Sequence, residues 1–420
     1  MIDINYIKQN AEQFRHAIRN KRIPADLDQL LELDDERRRL QLATDDMRRE
    51  RNLLSRATKQ IAESEMVAHL EKCKFVTDEL EQLERKLRHV TERHQHLLLL
   101  MPSLPTADVP TGATDDDNVE LKKWGEPRQF DFDARDHVEL ARMRQLVLFD
   151  QAREFAGSRA YALTGNGALL ELAVMRLAVD FLIGRGYTLT MPPLAVKENA
   201  MVGTGYFPLG EENAYVLEKD KLFLTGTSEV GLVALQANRI FSEAELPARF
   251  AGLSTCFRRE AGAAGRDTRG LYRVHQFQKV EQVVFAVDDD ALTAKMHADM
   301  LENSEQILQL LELPYRVVAV CTGEMGLGQV RKHDIETWMP SRNAYGETHS
   351  CSTLGTFQSR RLNIRYKTAD GAKRFVHTLN NTAVASPRIL VALLENHQLA
   401  DGSIHIPSAL RQYMYGNETI

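Results

Sequence analysis

Apolar residues in the first hundred positions recur every seven residues. Leu33, Leu40, Met47, Leu54 and Ile61 form one series. Val76, Leu80, Leu83, Leu87, Val90, His94 and Leu97 form an a/d series of the same period, weakened only at His94. A short polar break near Glu63, Ser64 and Glu65 separates them, the stretch holds no glycine, and Pro24 is its only proline. Two long helices joined by a tight turn lie antiparallel, so the pattern predicts an antiparallel two-stranded coiled coil. Helices of about 30–35 residues rise about 45–50 Å at 1.5 Å per residue. A narrow seam supplies little core of its own, which suits an arm that reaches. Its first helix carries Arg37, Arg38, Arg39, Arg48, Arg49, Arg51, Arg56 and Lys59 among acids. That face reads either as a solvated surface or as a set of phosphate contacts.

The pattern changes after residue 101. Residues 102–128 carry several prolines, Gly112 and the acidic run Asp115–Asp117, and predict a linker. Beyond it, residues 168–184 form a strongly apolar helix ending near Gly184 and Gly186. YTLTMPP reads as a short strand stopped by Pro192 and Pro193. LFLTGTSE, LPYRVVAV, HDIETWMP, ETHSCST, RLNIRY and RFVHTLNNT also read as strands, and a helix is expected around residues 386–397. The fold class is α+β: a helical arm over 1–101, then a domain over 129–420 with a largely antiparallel sheet flanked by helices.

Residues 257–281, FRREAGAAGRDTRGLYRVHQFQKVE, read as strand, glycine-rich basic loop and strand. On a strand, residues i and i+2 share a face. Arg258 and Glu260 are then expected to point together, as are Phe277, Lys279 and Glu281. A cation, two acids and an aromatic plate over one sheet suit a nucleotide, with guanidinium on phosphate, ring on base and carboxylates on amino groups. An isolated Arg-x-Glu would more simply be an ordinary cross-strand pair.

Composition narrows the partners. The net charge of −6 gives no global sign of nucleic-acid binding, and residues 1–100 balance 19 basic against 19 acidic side chains. A nucleic-acid partner would therefore need local basic patches. Cys73, Cys256, Cys321 and Cys351 are far apart in sequence, which suggests neither a zinc site nor a disulfide framework, so no zinc is expected. No apolar run approaches 18 residues and no signal pattern opens the chain, so no membrane is expected and a cytoplasmic location is the default. An organellar protein with its leader removed is the other reading. No phosphate loop, nucleophile elbow or H-E-x-x-H appears. Polar residues instead gather at expected strand ends: Thr227-Ser228-Glu229, Glu347 with Ser350, and Asn380 with Thr382. Arg388 opens the last helix, where a helix dipole favours an anion rather than a cation.

These blocks together resemble a known family. MIDINYIKQN, LDQLLELDDERRRLQ with RRERN, GYTLTMPPLAVKENAMVGTG, CFRREAGAAGRDTRGLYRVHQFQKVE and HTLNNTAVASPRILVALLENHQLADGSIHIPSALRQYM resemble, in order, the opening, the arm and the three class II motifs of bacterial-type seryl-tRNA synthetases. The resemblance spans essentially the whole chain, and its second-motif block is the most specific. It implies a serine—tRNA ligase that activates L-serine with ATP and transfers it to tRNA(Ser), and to tRNA(Sec) as well. It also implies a homodimer formed through the first motif.

By the same resemblance Arg258, Glu260 and Arg388 are catalytic, with Arg258 on the ATP α-phosphate, Glu260 on the adenine amino group and Arg388 near the γ-phosphate. Phe277 stacks beneath adenine, and Arg259, Arg273, Thr348 and His349 join the ATP site. Glu347 and Ser350 hold Mg²⁺. Thr227, Ser228, Glu229 and Asn380 line the serine site, while Glu281 and Thr382 recognise serine's amino and hydroxyl groups. The basic loop with Arg266, Arg269 and Arg273 meets ATP and the tRNA end in turn.

Three places depart from the family's pattern. Thr353-Leu354-Gly355-Thr356 replaces a more polar run after Cys351-Ser352, and Asn381 and Pro387 stand where glycine is common. Two other functions fit much of this chain: a paralogue that binds tRNA without charging it, and an enzyme that activates serine for a carrier protein. The set Thr227, Arg258, Glu260, Glu281, Glu347, Thr382 and Arg388 argues against the first. The complete arm argues against the second.

Overall fold

The structure is a computed structural model and describes every residue of the chain except Ala264, Arg266 and Thr268. It divides into two compact units, Met1–Pro102 and Ser103–Ile420.

In the first unit, Asp26 accepts a hydrogen bond from Gln29 N at 2.9 Å and caps a long helix. The unit runs α1 (Ile4–Gln9), α2 (Ala11–Asn20), α3 (Leu27–Ala57) and α4 (Met66–Leu99). Leu33, Leu40 and Val90 are buried in the α3–α4 seam, with Leu83, Leu87 and Leu97 packed against them. The heptad expectation holds except at its end, because Ile61 lies beyond α3 in the connection to α4. His94, the weak point of the apolar series, has a partner: its Nε2 lies 3.5 Å from Oδ1 of the buried Asp34. Lys8, Arg37 and Arg38 also contact Asp34, each within 3.0 Å. Part of the basic face is therefore internal wiring, and Arg48 likewise pairs with Glu84 at 2.8 Å.

The second unit is built on an eight-stranded sheet. In chain order its strands are β1 (Val119–Trp124), β2 (Thr188–Thr190), β3 (Ala248–Phe257), β4 (Gln276–Ala286), β5 (Tyr315–Ala319), β6 (Arg331–Met339), β7 (Ala344–Gly355) and β8 (His377–Ala385). Their spatial order is β1-β5-β6-β7-β8-β4-β3-β2. Every pairing is antiparallel except that of β2 with β3. Three helices, α5 (Gly165–Gly184), α7 (Asp290–Leu310) and α9 (Ser386–Asn396), contribute to the main core with Val280, Val284, Ile335, Cys351, Leu379 and Ala383 from the strands. Each of these Val, Ile and Leu side chains, fully buried, contributes about 1.5–3 kcal/mol. Two short helices, α6 (Ser228–Ala234) and α8 (Phe357–Leu362), help close the opposite side.

Several local expectations are corrected. Much of segment 102–128, read as a linker, belongs to the second unit: β1 pairs with β5, and Ser103 and Thr106 donate backbone hydrogen bonds to Leu327 and Val330. RLNIRY is split between α8 and a short strand, Arg365–Lys367: Leu362 buries one turn on from Gln358 and Ser359, and Asn363 ends the helix in the left-handed region. LFLTGTSE stops as a strand at Leu224, and Thr227 caps α6 instead of ending a strand. The strand β3 ends at Phe257, so Arg258 and Glu260 are not a strand pair; Glu260 has a φ of 54°, in the left-handed region. Arg266 lies outside the described residues.

Candidate active site

The sheet's alternation is broken at several points, and two of the breaks shape one cavity. Along β7, Ile335 faces His349 but Glu336 faces Glu347, which leaves Thr348 as an extra residue. Along β8, Val280 faces Val384 but Glu281 faces Thr382, which leaves Ala383 extra. A bulge of this kind lets residues three apart share a face. Glu347 and Ser350 thus open on the same side, as do Thr382 and Ala385. Phe277, Lys279 and Glu281 arrive from β4 by unbroken alternation.

The cavity between them has a volume of about 310 Å³. One end collects the expected cations. The Arg258 guanidinium lies 5.4 Å from the centroid of the Phe277 ring, and its Nε donates to Gly226 O at 3.3 Å. Glu260 Oε2 accepts from Arg273 Nη1 at 2.6 Å. Arg388, in the first turn of α9, donates from Nη1 to Glu347 O at 2.6 Å and to Glu347 Oε2 at 3.3 Å. Its guanidinium also sits 4.5 Å from the Tyr272 ring centroid. Burial pushes the Glu347 carboxyl up, but Arg388, Lys332 and Arg258 outweigh it and hold the group below the usual carboxylate range.

The other end is polar and closed. Lys279 forms a buried ion pair with Glu281, whose Oε2 also accepts from Thr382 Oγ1 at 3.4 Å. Glu229 receives hydrogen bonds from Tyr206, Gln358 and Asn380. Burial, then the charge of Glu281, push its carboxyl up to about 7 against the pull of Gln358, Tyr206 and Lys279.

Most of the residues named from sequence line this cavity: Arg258, Glu260, Arg273, Phe277, Glu347, Thr348, Ser350 and Arg388 at one end, Glu229, Glu281, Asn380 and Thr382 at the other. Four do not line it. Thr227 Oγ1 accepts from Glu229 N at 3.3 Å, and Ser228 Oγ donates to Gly252 O at 3.2 Å. Arg259 bonds Asn213 O through its backbone N, and its side chain is not part of the lining. His349 turns away because of the bulge: its Nε2 donates to Ala383 O at 3.1 Å and its Nδ1 accepts from Thr348 Oγ1 at 2.8 Å. Burial pushes its pKa down to about 4, as a neutral imidazole requires. Sequence reasoning passed over Tyr206, Tyr272 and Gln358, and placed Lys279 on the shared face without giving it a role. Only Lys279 had a signal, since it alternates between Phe277 and Glu281.

Comparison with known proteins decides the family. A domain family described as "Seryl-tRNA synthetase N-terminal domain" matches residues 1–105, and one described as "tRNA synthetase class II core domain (G, H, P, S and T)" matches residues 215–397. A serine--tRNA ligase of Deinococcus radiodurans is 45% identical over 420 residues, covering 100% of this chain and 99% of that protein. The chain belongs to the seryl-tRNA synthetase family. A second relative, the serine--tRNA ligase of Rubrobacter xylanophilus, is 42% identical over 422 residues, with 100% and 99% covered. Among solved structures, the seryl-tRNA synthetase from Pyrococcus horikoshii complexed with ATP superposes with a TM-score of 0.88 at 34% identity, over 100% of this chain and 99% of that one. The cytoplasmic serine-tRNA ligase from Naegleria fowleri in complex with AMP gives 0.83 at 28% identity, over 99% and 96%.

This seryl-tRNA synthetase carries its unusual residues mostly outside the cavity. Asn381 faces α7, donating from Nδ2 to Met300 O at 2.6 Å and Ser304 Oγ at 2.9 Å. Thr353 Oγ1 meets His297 Nδ1 at 2.9 Å, and His297 Nε2 lies 2.7 Å from His333 Nδ1. Only Leu354 and Pro387 of the departing positions line the cavity.

Proposed function

We propose that this cavity activates L-serine with ATP and passes the seryl group to the 3′ end of tRNA(Ser), the charging reaction of its family. The observation that carries this reading is the meeting, in one cavity, of Arg258, Phe277 and Arg388 at one end and Glu281 and Thr382 at the other. The serine carboxylate oxygen attacks the α-phosphorus in line. An O–P bond forms as the bond to the β-phosphate oxygen breaks, and pyrophosphate leaves. No protein nucleophile is needed, because positioning and charge neutralisation at phosphorus lower the barrier. Arg258 takes the α-phosphate, Glu260 the adenine amino group, Phe277 the underside of the base and Arg388 the far phosphates. Arg273, Thr348 and Ser350 complete the ATP end.

Mg²⁺ fits the oxygens on β7. The Glu347 carboxylate, held anionic, and the Ser350 hydroxyl are hard donors on one face. Among the described residues no three or more His, Cys, Asp or Glu side chains converge on a metal site, so the phosphates would complete its coordination. Bound there, the ion would neutralise phosphate charge. In the serine end, Glu281 and Thr382 take the amino and hydroxyl groups, and alanine would leave buried polar groups unpaired. In the second step a hydroxyl of the tRNA terminal ribose attacks the seryl carbonyl carbon and AMP departs.

The arm, Met1–Pro102, is read as the tRNA-binding unit, and the protein as a homodimer. The large exposed side chains of Phe155 and Leu172 support pairing. Among the described residues no helix is long and apolar enough to cross a membrane. The test is serine-dependent exchange of pyrophosphate into ATP, followed by transfer to tRNA(Ser). Absence of exchange sinks the reading; exchange without charging returns it to the carrier-protein alternative.

A further inference from the structure

Glu229 has both oxygens engaged by protein donors. Oε1 accepts from Gln358 Nε2 at 2.7 Å and Asn380 Nδ2 at 2.9 Å, and Oε2 accepts from Tyr206 Oη at 2.9 Å. The carboxylate that lines the serine end is thus a buttress for its neighbours. Gln358 in turn is fixed from both sides. Its Oε1 accepts from Thr378 Oγ1 at 2.7 Å, and its Nε2 also donates to Thr204 O at 3.1 Å. Gln358 is 1% exposed and Thr378 fully buried.

These contacts settle the sense of an amide. An amide has a donor end and an acceptor end, and a carboxylate accepts only. Were Asn380 turned over, its Oδ1 would face an oxygen of the ionised Glu229 carboxylate without a proton between them. Its Nδ2 therefore belongs to Glu229, and its Oδ1 is the end left for the cavity that Asn380 lines. The wall presents an acceptor at this point, which matches the donors of an amino acid, an ammonium and a side-chain hydroxyl.

We propose that Gln358 is a positioning residue for amino-acid selection: through Glu229 it fixes the amide of Asn380, so that the carbonyl oxygen of Asn380 faces the donors of bound serine. This rests on the serine reading of the cavity given above. Gln358 lies on α8, after β7, and is not part of the cavity lining, so its effect is expected on serine binding through Glu229 and Asn380.

The experiment is pyrophosphate exchange with the full-length chain, varying serine and ATP separately. Gln358→Leu is expected to raise the KM for serine about 10- to 100-fold, as loss of a charge-assisted, buried hydrogen-bond system does. The KM for ATP should stay within about twofold, because the nucleotide end shares none of these bonds. Should Gln358→Leu not fold, Thr378→Val removes only the hydroxyl that holds Gln358, and should raise the serine KM about 3- to 10-fold. An unchanged serine KM in whichever variant folds overturns the role of Gln358. So does an equal rise in the ATP KM, which marks general distortion. No serine-dependent exchange by the unaltered protein brings down the serine reading and this inference together.

Discussion

Thr382 stands directly opposite Glu281 across β8 and β4, and its hydroxyl donates to Glu281 Oε2 at 3.4 Å. The pair is a hydroxyl and a carboxylate without an intervening apolar group, set where an amino acid's own hydroxyl can join them. Thr382→Val keeps the shape and removes the polar partner. It should raise the serine KM in exchange about 5- to 100-fold, equivalent to roughly 1–3 kcal/mol. Discrimination against alanine should weaken by a similar factor. Unaltered discrimination would remove Thr382 from the serine end.

Arg258 and Arg388 are expected to act mainly on the transition state. Alanine at either position should lower kcat/KM for exchange about 100- to 1000-fold. Lysine should not restore it, since a guanidinium fork is lost. Thermal unfolding of each variant provides the control. A rate loss accompanied by a collapse of the fold would count against a chemical role.

On the serine reading of the cavity, Glu229 should make serine binding pH-dependent. Its carboxyl is pushed up to about 7, with Glu281, Lys279, Tyr206 and Arg258 as the charged or titratable groups around it. Below that pH it takes up a proton and ceases to be a pure acceptor for Gln358, Asn380 and Tyr206. The serine KM should therefore be flat above about pH 7 and rise as pH falls through it. Glu229→Gln should remove this inflection, so an identical inflection in that variant assigns it to another group.

The contact between buried His297 and half-buried His333 predicts acid sensitivity of the fold. Burial, then neighbouring charge, push their pKa values down to about 3 and about 4. An unfolded chain protonates both near 6.5. As pH falls from 6.5 towards 4 the unfolded state binds more protons than the folded one, so stability falls over that window and is complete above it. The pair should account for a loss on the order of 1–3 kcal/mol. Denaturant titrations of His297→Gln at pH 7 and pH 5 measure this; a difference as large as that of the unaltered protein refutes it.

The arm and the catalytic unit should separate by assay. Deleting residues 30–100 should abolish tRNA charging and leave much of the pyrophosphate exchange, because the cavity lies wholly within Ser103–Ile420. Charging by the intact protein should weaken with salt as phosphate contacts are screened. Normal charging by the shortened chain would refute the arm's assigned task.

Long-range pattern was legible in the sequence, and local departures from pattern were not. The heptads at Leu33, Leu40 and Val90 and the alternation at Phe277, Lys279 and Glu281 survive intact, because periodicity reports which face is buried. The reading failed at Arg258 and Glu260, where a strand was carried past its end at Phe257, and at Thr227, where a polar run that caps a helix looked like a strand end. His349 is assigned to the cavity by resemblance, and nothing in the letters THS marks the extra residue that turns it away. Asp34 gave His94 its reason for sitting in a heptad, and that contact exists only once α3 and α4 are folded together. Gln358 showed no signal, since its partners at 204, 229 and 378 are remote in sequence.

The extra residue at Thr348 also sets how this protein can change over time. Loss of the extra residue itself would leave Glu347 and Ser350 two apart on one face of a regular strand, whereas loss of a residue beyond the bulge, such as Cys351, would put Ser352 in a core position. Tolerance to shortening should therefore differ sharply between neighbouring positions. In a library of variants, deletion of Thr348 should survive selection for charging more often than deletion of Cys351.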